Sequence, residues 1–413
     1  MKRVVFWACV SVLVACSTTA EHAGWIETWG AAPLPPSPAL GPLPATPSFN
    51  NQTIRQILRV SVGGDRLRIR FTNEYGSKPL RIGAARVALV DATGTVQPGS
   101  ERPVLFNGAP SVVIPPASPY VSDAVNLPVK SLSSLSLSIY LPQDTGPCTC
   151  HAVGMQSGFV SGTGDFTDKT FTPAQTIQSR AFVSGIEVES AASAKTIVVL
   201  GDSISDGVGS TPNANHRWPD LLAERLAAAH ELAGWGVVNM GISGNRVLND
   251  GAGQSALARF DRDVLAVPGV AYVIVFEGVN DLGLSFGHFE GPMAELFKKL
   301  APADQATAAA MIAGYRQLIA RAHASGVKIL GATIAPYGGA GYYSPEGEAQ
   351  RAAINNWIRT GKEFDGVLDF DAVLRDPQDA TRMAMPLQAG DHLHGSDAGY
   401  AALAKSIDLS LFK

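Results

Sequence analysis

The sequence predicts an α/β protein in which a doubly wound parallel sheet fills the C-terminal half, preceded by an all-β, sandwich-like domain. Two periodicities and one composition carry that prediction. Residues 53–140 alternate apolar and polar side chains in short runs such as "RQILRVSVGG", "DRLRIRFTN" and "LSSLSLSIYL", separated by Gly, Pro, Asn and Asp. That is the period-2 signature of antiparallel strands. From residue 195 onward, β-branched apolar runs alternate with amphipathic stretches, and strand–helix alternation demands parallel strands with helices on both faces. The chain has 413 residues, 46% hydrophobic and 16% charged, enough to bury more than one core.

Residues 1–15 read as a lipoprotein signal peptide. Lys2 and Arg3 precede an apolar run far shorter than the roughly 20 residues of a membrane span. Leu13-Val14-Ala15-Cys16 resembles the bacterial lipobox. That resemblance implies cleavage before Cys16, lipid on its thiol and, with Ser17 next, anchoring in the outer membrane of a Gram-negative cell, facing the periplasm or the cell surface. Ordinary cleavage near Ala20 without lipid is the plainer reading. Residues 16–52 are too rich in proline for helix or central strand and are expected to wrap the surface in extended form. Residues 53–187 make the β-domain with a loop, 188–194 a small-residue connector and 195–413 the α/β domain. Cys148 and Cys150 in "GPCTCHAVG" stand one residue apart, near the limit of disulfide geometry, so a strained bridge and free thiols both stay open.

Within the α/β domain the candidate strands are "TIVVLG" (196–201), "GVVNMG" (236–241), "AYVIVFEG" (271–278), "VKILGATIAP" (327–336) and "GVLDFD" (366–371). The clearest helix, 307–325, sets Met311, Tyr315, Leu318 and Ala322 on one face and stops at Gly326. A net charge of −4 with no Lys/Arg run excludes nucleic acid as a partner.

In open parallel sheets the ligand crevice lies beyond the carboxyl ends of the strands, and three strands end in unusual residues. The first runs into "GDSISDG" with Ser203, the second into "NMGISGNR" with Gly241, the third into "GVNDLG" with Asn280. Near the C-terminus "DHLH" supplies Asp391 and His394, spaced so that the aspartate can bind Nδ1 of the ring and leave Nε2 to act as base.

These four blocks, in this order, resemble the SGNH (GDSL) hydrolases over about residues 195–413, and the whole chain resembles two-domain bacterial members with an N-terminal β-domain. The resemblance implies a flavodoxin-like sheet, Ser203 as nucleophile, His394 as base, Asp391 as its orienter, and an oxyanion hole from the Ser203 N–H, the Gly241 N–H and the Asn280 amide. A serine hydroxyl needs such a base before it can attack an ester. Taken singly, Ser203 could be a helix cap, Asn280 a turn residue and Gly241 a strand terminator. A metal site at Asp391, His392 and His394 lacks a further ligand, so no metal and no cofactor is expected. Gly201, Gly207 and Gly209 have the wrong spacing for a dinucleotide loop, and Ser203 lies outside any G-x-S-x-G elbow.

The expected function is removal of small acyl groups, acetyl first, from carbohydrate, with lipid or aryl esters as the alternative and a polysaccharide-binding lipoprotein with a silent hydrolase domain as the reading from another class. The partners expected are a small-molecule or carbohydrate ester and, through Cys16, a membrane; oligomeric state is not legible. Phe286, Phe289, Met293, Leu296 and Phe297 are candidates for an acyl wall or for plain sheet cover, and Tyr342 and Tyr343 for stacking on a sugar.

Overall fold

The computed structural model describes residues 24–39, 45–91, 94–191, 193–289 and 294–412. The expected signal peptide and Cys16 lie outside the described residues. Among those described, no helix is long and apolar enough to cross a membrane.

The N-terminal half is built from antiparallel strands. One sheet runs in the order Gly24–Gly30, Val183–Ser190, Gly64–Asn73, Ser118–Val121, with Val125–Val129 also paired to Gly64–Asn73. The other runs Pro173–Ile177, Gly158–Thr163, Gln52–Arg59, Ser134–Leu141, Ala84–Val90, Arg102–Pro103. Alternation is plain in Val125–Val129, where Val125, Leu127 and Val129 are buried while Asn126 and Pro128 face out. Ile54, Leu58, Ile69, Phe71, Leu137 and Ile186, drawn from both sheets, join one apolar cluster. Cys148 and Cys150 are disulfide-bonded and buried in it.

The proline-rich approach departs from expectation. Gly24–Gly30 is a strand, not a surface wrap: it pairs with Val183–Ser190, and Ile26, Glu27, Thr28 and Trp29 are buried. The prolines begin only at Pro33, after the strand has ended, so averaging over the window hid it. Ala32, just beyond, belongs to the core of the C-terminal half. The connector is also shorter than expected, because Val183–Ser190 carries the β-domain to residue 190.

Five parallel strands form the C-terminal sheet: β1 (Lys195–Gly201), β2 (Trp235–Asn239), β3 (Val270–Phe276), β4 (Lys328–Ala332) and β5 (Gly366–Leu368). Their order is β2-β1-β3-β4-β5, the flavodoxin-like arrangement whose switch point lies between β1 and β3. "IVVL" in β1 and "YVIVF" in β3 are buried on both faces, as continuous β-branched runs in a covered parallel sheet should be. The expected helix is α-helical over Ala308–Ala324, capped by the Thr307 hydroxyl, and Gly326 takes a left-handed φ of 71° just beyond it.

The β-domain covers the β2 edge of this sheet. Ser61 Oγ accepts the Val237 N–H at 3.0 Å, Thr196 Oγ1 donates to the Glu27 carbonyl at 3.0 Å, and the Glu27 N–H donates to the Pro268 carbonyl at 2.9 Å. An edge strand that would otherwise present free amides is thereby closed.

Candidate active site

At the end of β1 the chain turns sharply. A Cβ on Gly201 would stand 2.3 Å from Ser205 Oγ and 2.7 Å from the Phe276 carbonyl, so only glycine lets the turn close. Asp202 caps the short helix α1 (Ser203–Asp206), its side chain accepting the Ile204 N–H at 2.9 Å. Ser203 heads that helix and is 5% exposed. Its Oγ lies 2.8 Å from His394 Nε2, and His394 Nδ1 lies 2.5 Å from Asp391 Oδ2.

Asp391 is fixed from its own turn, since its Oδ1 accepts the His394 N–H at 2.9 Å and the Leu393 N–H at 3.0 Å. Partial burial pushes its carboxyl up, but the bond from the His394 ring, the two backbone bonds and the His394 charge outweigh that and hold it well below the usual carboxylate range. Asp202 goes the other way: burial raises it from 3.8 to about 7, against the lowering effect of the Ile204 N–H.

The asparagine and glycine blocks meet over the β1/β3 switch point. Asn280 Nδ2 donates one hydrogen to the Asn245 carbonyl at 3.0 Å, which leaves its second hydrogen uncommitted, while its Oδ1 accepts from the Tyr342 hydroxyl at 3.2 Å. Next to it, the Asp281 carboxylate accepts the N–H groups of Val247 and Leu248 at 2.8 and 3.0 Å. The buried Arg259 guanidinium donates to the carbonyls of Gly201 and Met240 and to Asn245 Oδ1, tying the ends of β1 and β2 to the glycine block.

The structure separates Gly241 from the role its block suggested. Its N–H donates to Asn239 Oδ1 at 3.0 Å, and a Cβ there would stand 2.6 Å from the Asp206 nitrogen, so Gly241 is glycine for packing and its amide is already used. Three residues on, Gly244 has a left-handed φ of 81°, and its N–H has no hydrogen-bond partner among the described residues. It stands between Ser243, whose N–H and hydroxyl donate to Asp206, and Asn245, whose carbonyl accepts from Asn280. The Ser203 N–H, at the start of α1, is likewise unpaired among the described residues.

Besides Gly244, His151 escaped sequence reading, whereas the aromatic candidates and His392 can be placed directly. His151, from the β-domain, is buried with Nδ1 3.0 Å from the Ala32 carbonyl and Nε2 3.1 Å from the Val153 carbonyl and 2.9 Å from Asp206 Oδ1. Tyr342 is buried against Gly283 and Phe297 and spends its hydroxyl on Asn280, so it is not free to stack on a sugar. Phe289 and Phe297 pack on each other with ring centroids 5.6 Å apart; Met293 and the Leu296 side chain lie outside the described residues. His392 Nδ1 meets Gln388 Nε2 at 3.0 Å, away from the Ser203 chain.

A serine, a histidine and an aspartate in one hydrogen-bonded chain, with unpaired amide donors beside the serine at a parallel-sheet switch point, define the class of site that serine hydrolases use. Residues 199–402 match the GDSL-like Lipase/Acylhydrolase family, and the C-terminal domain of this chain belongs to that family. Solved structures with likeness to the chain include an acetyl xylan esterase from Geobacillus stearothermophilus, 21% identical over 51% of this chain and 92% of that one, with a TM-score of 0.37. A lipase/acylhydrolase from Enterococcus faecalis is 19% identical over 51% of this chain and 92% of that one, with a TM-score of 0.37. A comparison with curated proteins gives no match.

Proposed function

We propose that the protein is a serine ester hydrolase working through an acyl-enzyme, with Ser203 as nucleophile, His394 as base and Asp391 as its orienter. The observation that carries the reading is the unbroken chain from Ser203 Oγ through both nitrogens of His394 to Asp391 Oδ2. Asp391, held ionised, accepts Nδ1–H, which leaves Nε2 with a lone pair aimed at the hydroxyl. As Oγ attacks the ester carbonyl, its proton passes to Nε2 and negative charge develops on the carbonyl oxygen. His394 then returns that proton to the leaving alcohol, and water repeats the sequence on the acyl-enzyme. For the oxyanion we assign the Ser203 N–H, the Gly244 N–H and the second hydrogen of Asn280 Nδ2, because these are unspent.

The substrate we propose is a short-chain, acetyl-like ester of a carbohydrate. The enclosure of Ser203 and the burial of Asn280 favour a short acyl group, and the absence of a basic run in the sequence favours a neutral alcohol partner. A series of p-nitrophenyl esters of rising chain length, followed by acetylated polysaccharides, tests this. Preference for acetyl and release of acetate from the polymer are expected; a rise in kcat/KM with chain length would make the enzyme a lipase instead. We further propose export and lipid anchoring at Cys16, in which case Cys16→Ser should leave the membrane fraction or remain unprocessed.

A further inference from the structure

Resting on the serine-hydrolase reading above, we propose that His151 of the β-domain is a positioning residue for the reaction: through Asp206 it holds the Ser243–Gly244 turn so that the Gly244 N–H meets the oxyanion.

Asp206 is the last residue of the helix that Ser203 begins. Its Oδ2 accepts both the Ser243 N–H at 3.0 Å and the Ser243 hydroxyl at 2.7 Å, and its Oδ1 faces His151 Nε2 at 2.9 Å. One carboxylate thus joins the nucleophile's helix, the turn carrying Gly244, and the other domain. Both His151 and Asp206 are buried, and an ionised carboxylate there needs an opposite charge close by. Among the described residues, His151 is the one cationic side chain that hydrogen-bonds to Asp206.

The ring's surroundings establish that it can supply that charge. Nδ1 faces a carbonyl, and Nε2 faces a carbonyl and a carboxylate; all are acceptors, so each nitrogen is satisfied only by carrying a proton. Burial lowers the His151 pKa, but the Asp206 charge and the bonds to Asp206 and Ala32 outweigh it and leave the pKa raised, with Arg180 opposing.

His151 is itself held rigidly. It follows the Cys148–Cys150 disulfide, pairs with Arg180 across a short two-strand ladder, and bonds the Ala32 carbonyl. The chain after it grips the loop following α1, where the Asn213 N–H donates to the Met155 carbonyl at 3.0 Å and Asn213 Oδ1 accepts the Ser157 N–H at 2.6 Å. The interdomain ion pair of Arg59 with Glu224, by contrast, shares no hydrogen bond with Ser203, Asp206, Ser243 or Gly244 among the described residues, the other Arg59 bond going to the Leu132 carbonyl, and serves as the control.

The test uses the full chain and p-nitrophenyl acetate. His151→Leu should lower kcat and kcat/KM together by about a hundredfold with KM little changed, as expected when a group that stabilises only the transition state is misplaced. His151→Gln, whose Nε2 can still donate to Asp206, should recover most of that loss. Ser243→Ala, which removes one anchor of the turn without crossing the domain seam, should lower kcat by about tenfold, and Arg59→Ala should leave kcat unchanged. Wild-type kcat in Ser243→Ala or in a folded His151→Leu overturns the proposal, as does a loss carried by KM or equal losses in His151→Leu and His151→Gln. Wild-type protein inactive on every ester would defeat the hydrolase reading itself, a different result from an active wild type indifferent to His151.

Discussion

Two histidine–aspartate pairs flank the helix that Ser203 begins, one at the open crevice and one in the seam between the domains. His394 and Asp391 approach to 2.5 Å, His151 and Asp206 to 2.9 Å, so distance does not tell them apart. Their outer partners do. His394 Nε2 faces the Ser203 hydroxyl, which can donate, whereas both nitrogens of His151 face only acceptors. Exposure follows the same division: the Asp391 side chain is 50% exposed and that of Asp206 3%. On the proposed reading, the same two residue types make a base where the nitrogen turned away from the aspartate meets a hydroxyl, and a cation where it meets a carbonyl.

The largest effect should come from the crevice pair. Ser203→Ala or His394→Ala should lower kcat by about 10⁴- to 10⁶-fold with the fold retained, and the double variant should be hardly worse than either; losses that multiply would mean the two do not share one proton. Asn280→Ala should cost about 10²- to 10³-fold, the range for a single oxyanion donor, and an unchanged rate would remove Asn280 from the hole. Tyr342→Phe, which frees Asn280 Oδ1 but leaves the amide bonded to Asn245, should cost only about tenfold.

The smallest effect concerns Asp202, a third carboxylate beside the serine, to which no histidine or arginine is bonded among the described residues. Its folded-state value is raised to about 7, so its contribution to stability is complete below the unfolded value of about 4 and is lost as pH rises through about 7. Thermal midpoints of Asp202→Asn should therefore fall less than those of the wild type between these pH values. An identical slope in both proteins would show that Asp202 stays ionised in the fold.

Ser203, Asn280, Asp391 and His394 were legible in sequence because each sits in a short block at a strand end or within one turn of its partner, where local spacing and strand–helix alternation suffice. Gly244 was not, because "GISG" offers two glycines and only a hydrogen-bond census separates them. Asn239, two residues before Gly241 and able to bond its amide, was the available signal. His151 left no signal at all: its partner is 55 residues away in another domain, and a buried histidine reads as core. The strand Gly24–Gly30 was hidden by the prolines that follow it, whereas the helix Ala308–Ala324 was plain because its apolar face, its threonine cap and its terminal glycine all agree.

The central claim is that the Ser203 hydroxyl takes up the acyl group. Acid quenching of the full-length protein during turnover of p-nitrophenyl acetate, followed by proteolysis and mass spectrometry, tests it most directly. An acetyl group on the peptide containing Ser203, absent from Ser203→Ala and accumulating where His394→Ala slows its removal, is the predicted result; acetyl found on another residue, or full turnover in Ser203→Ala, would contradict it.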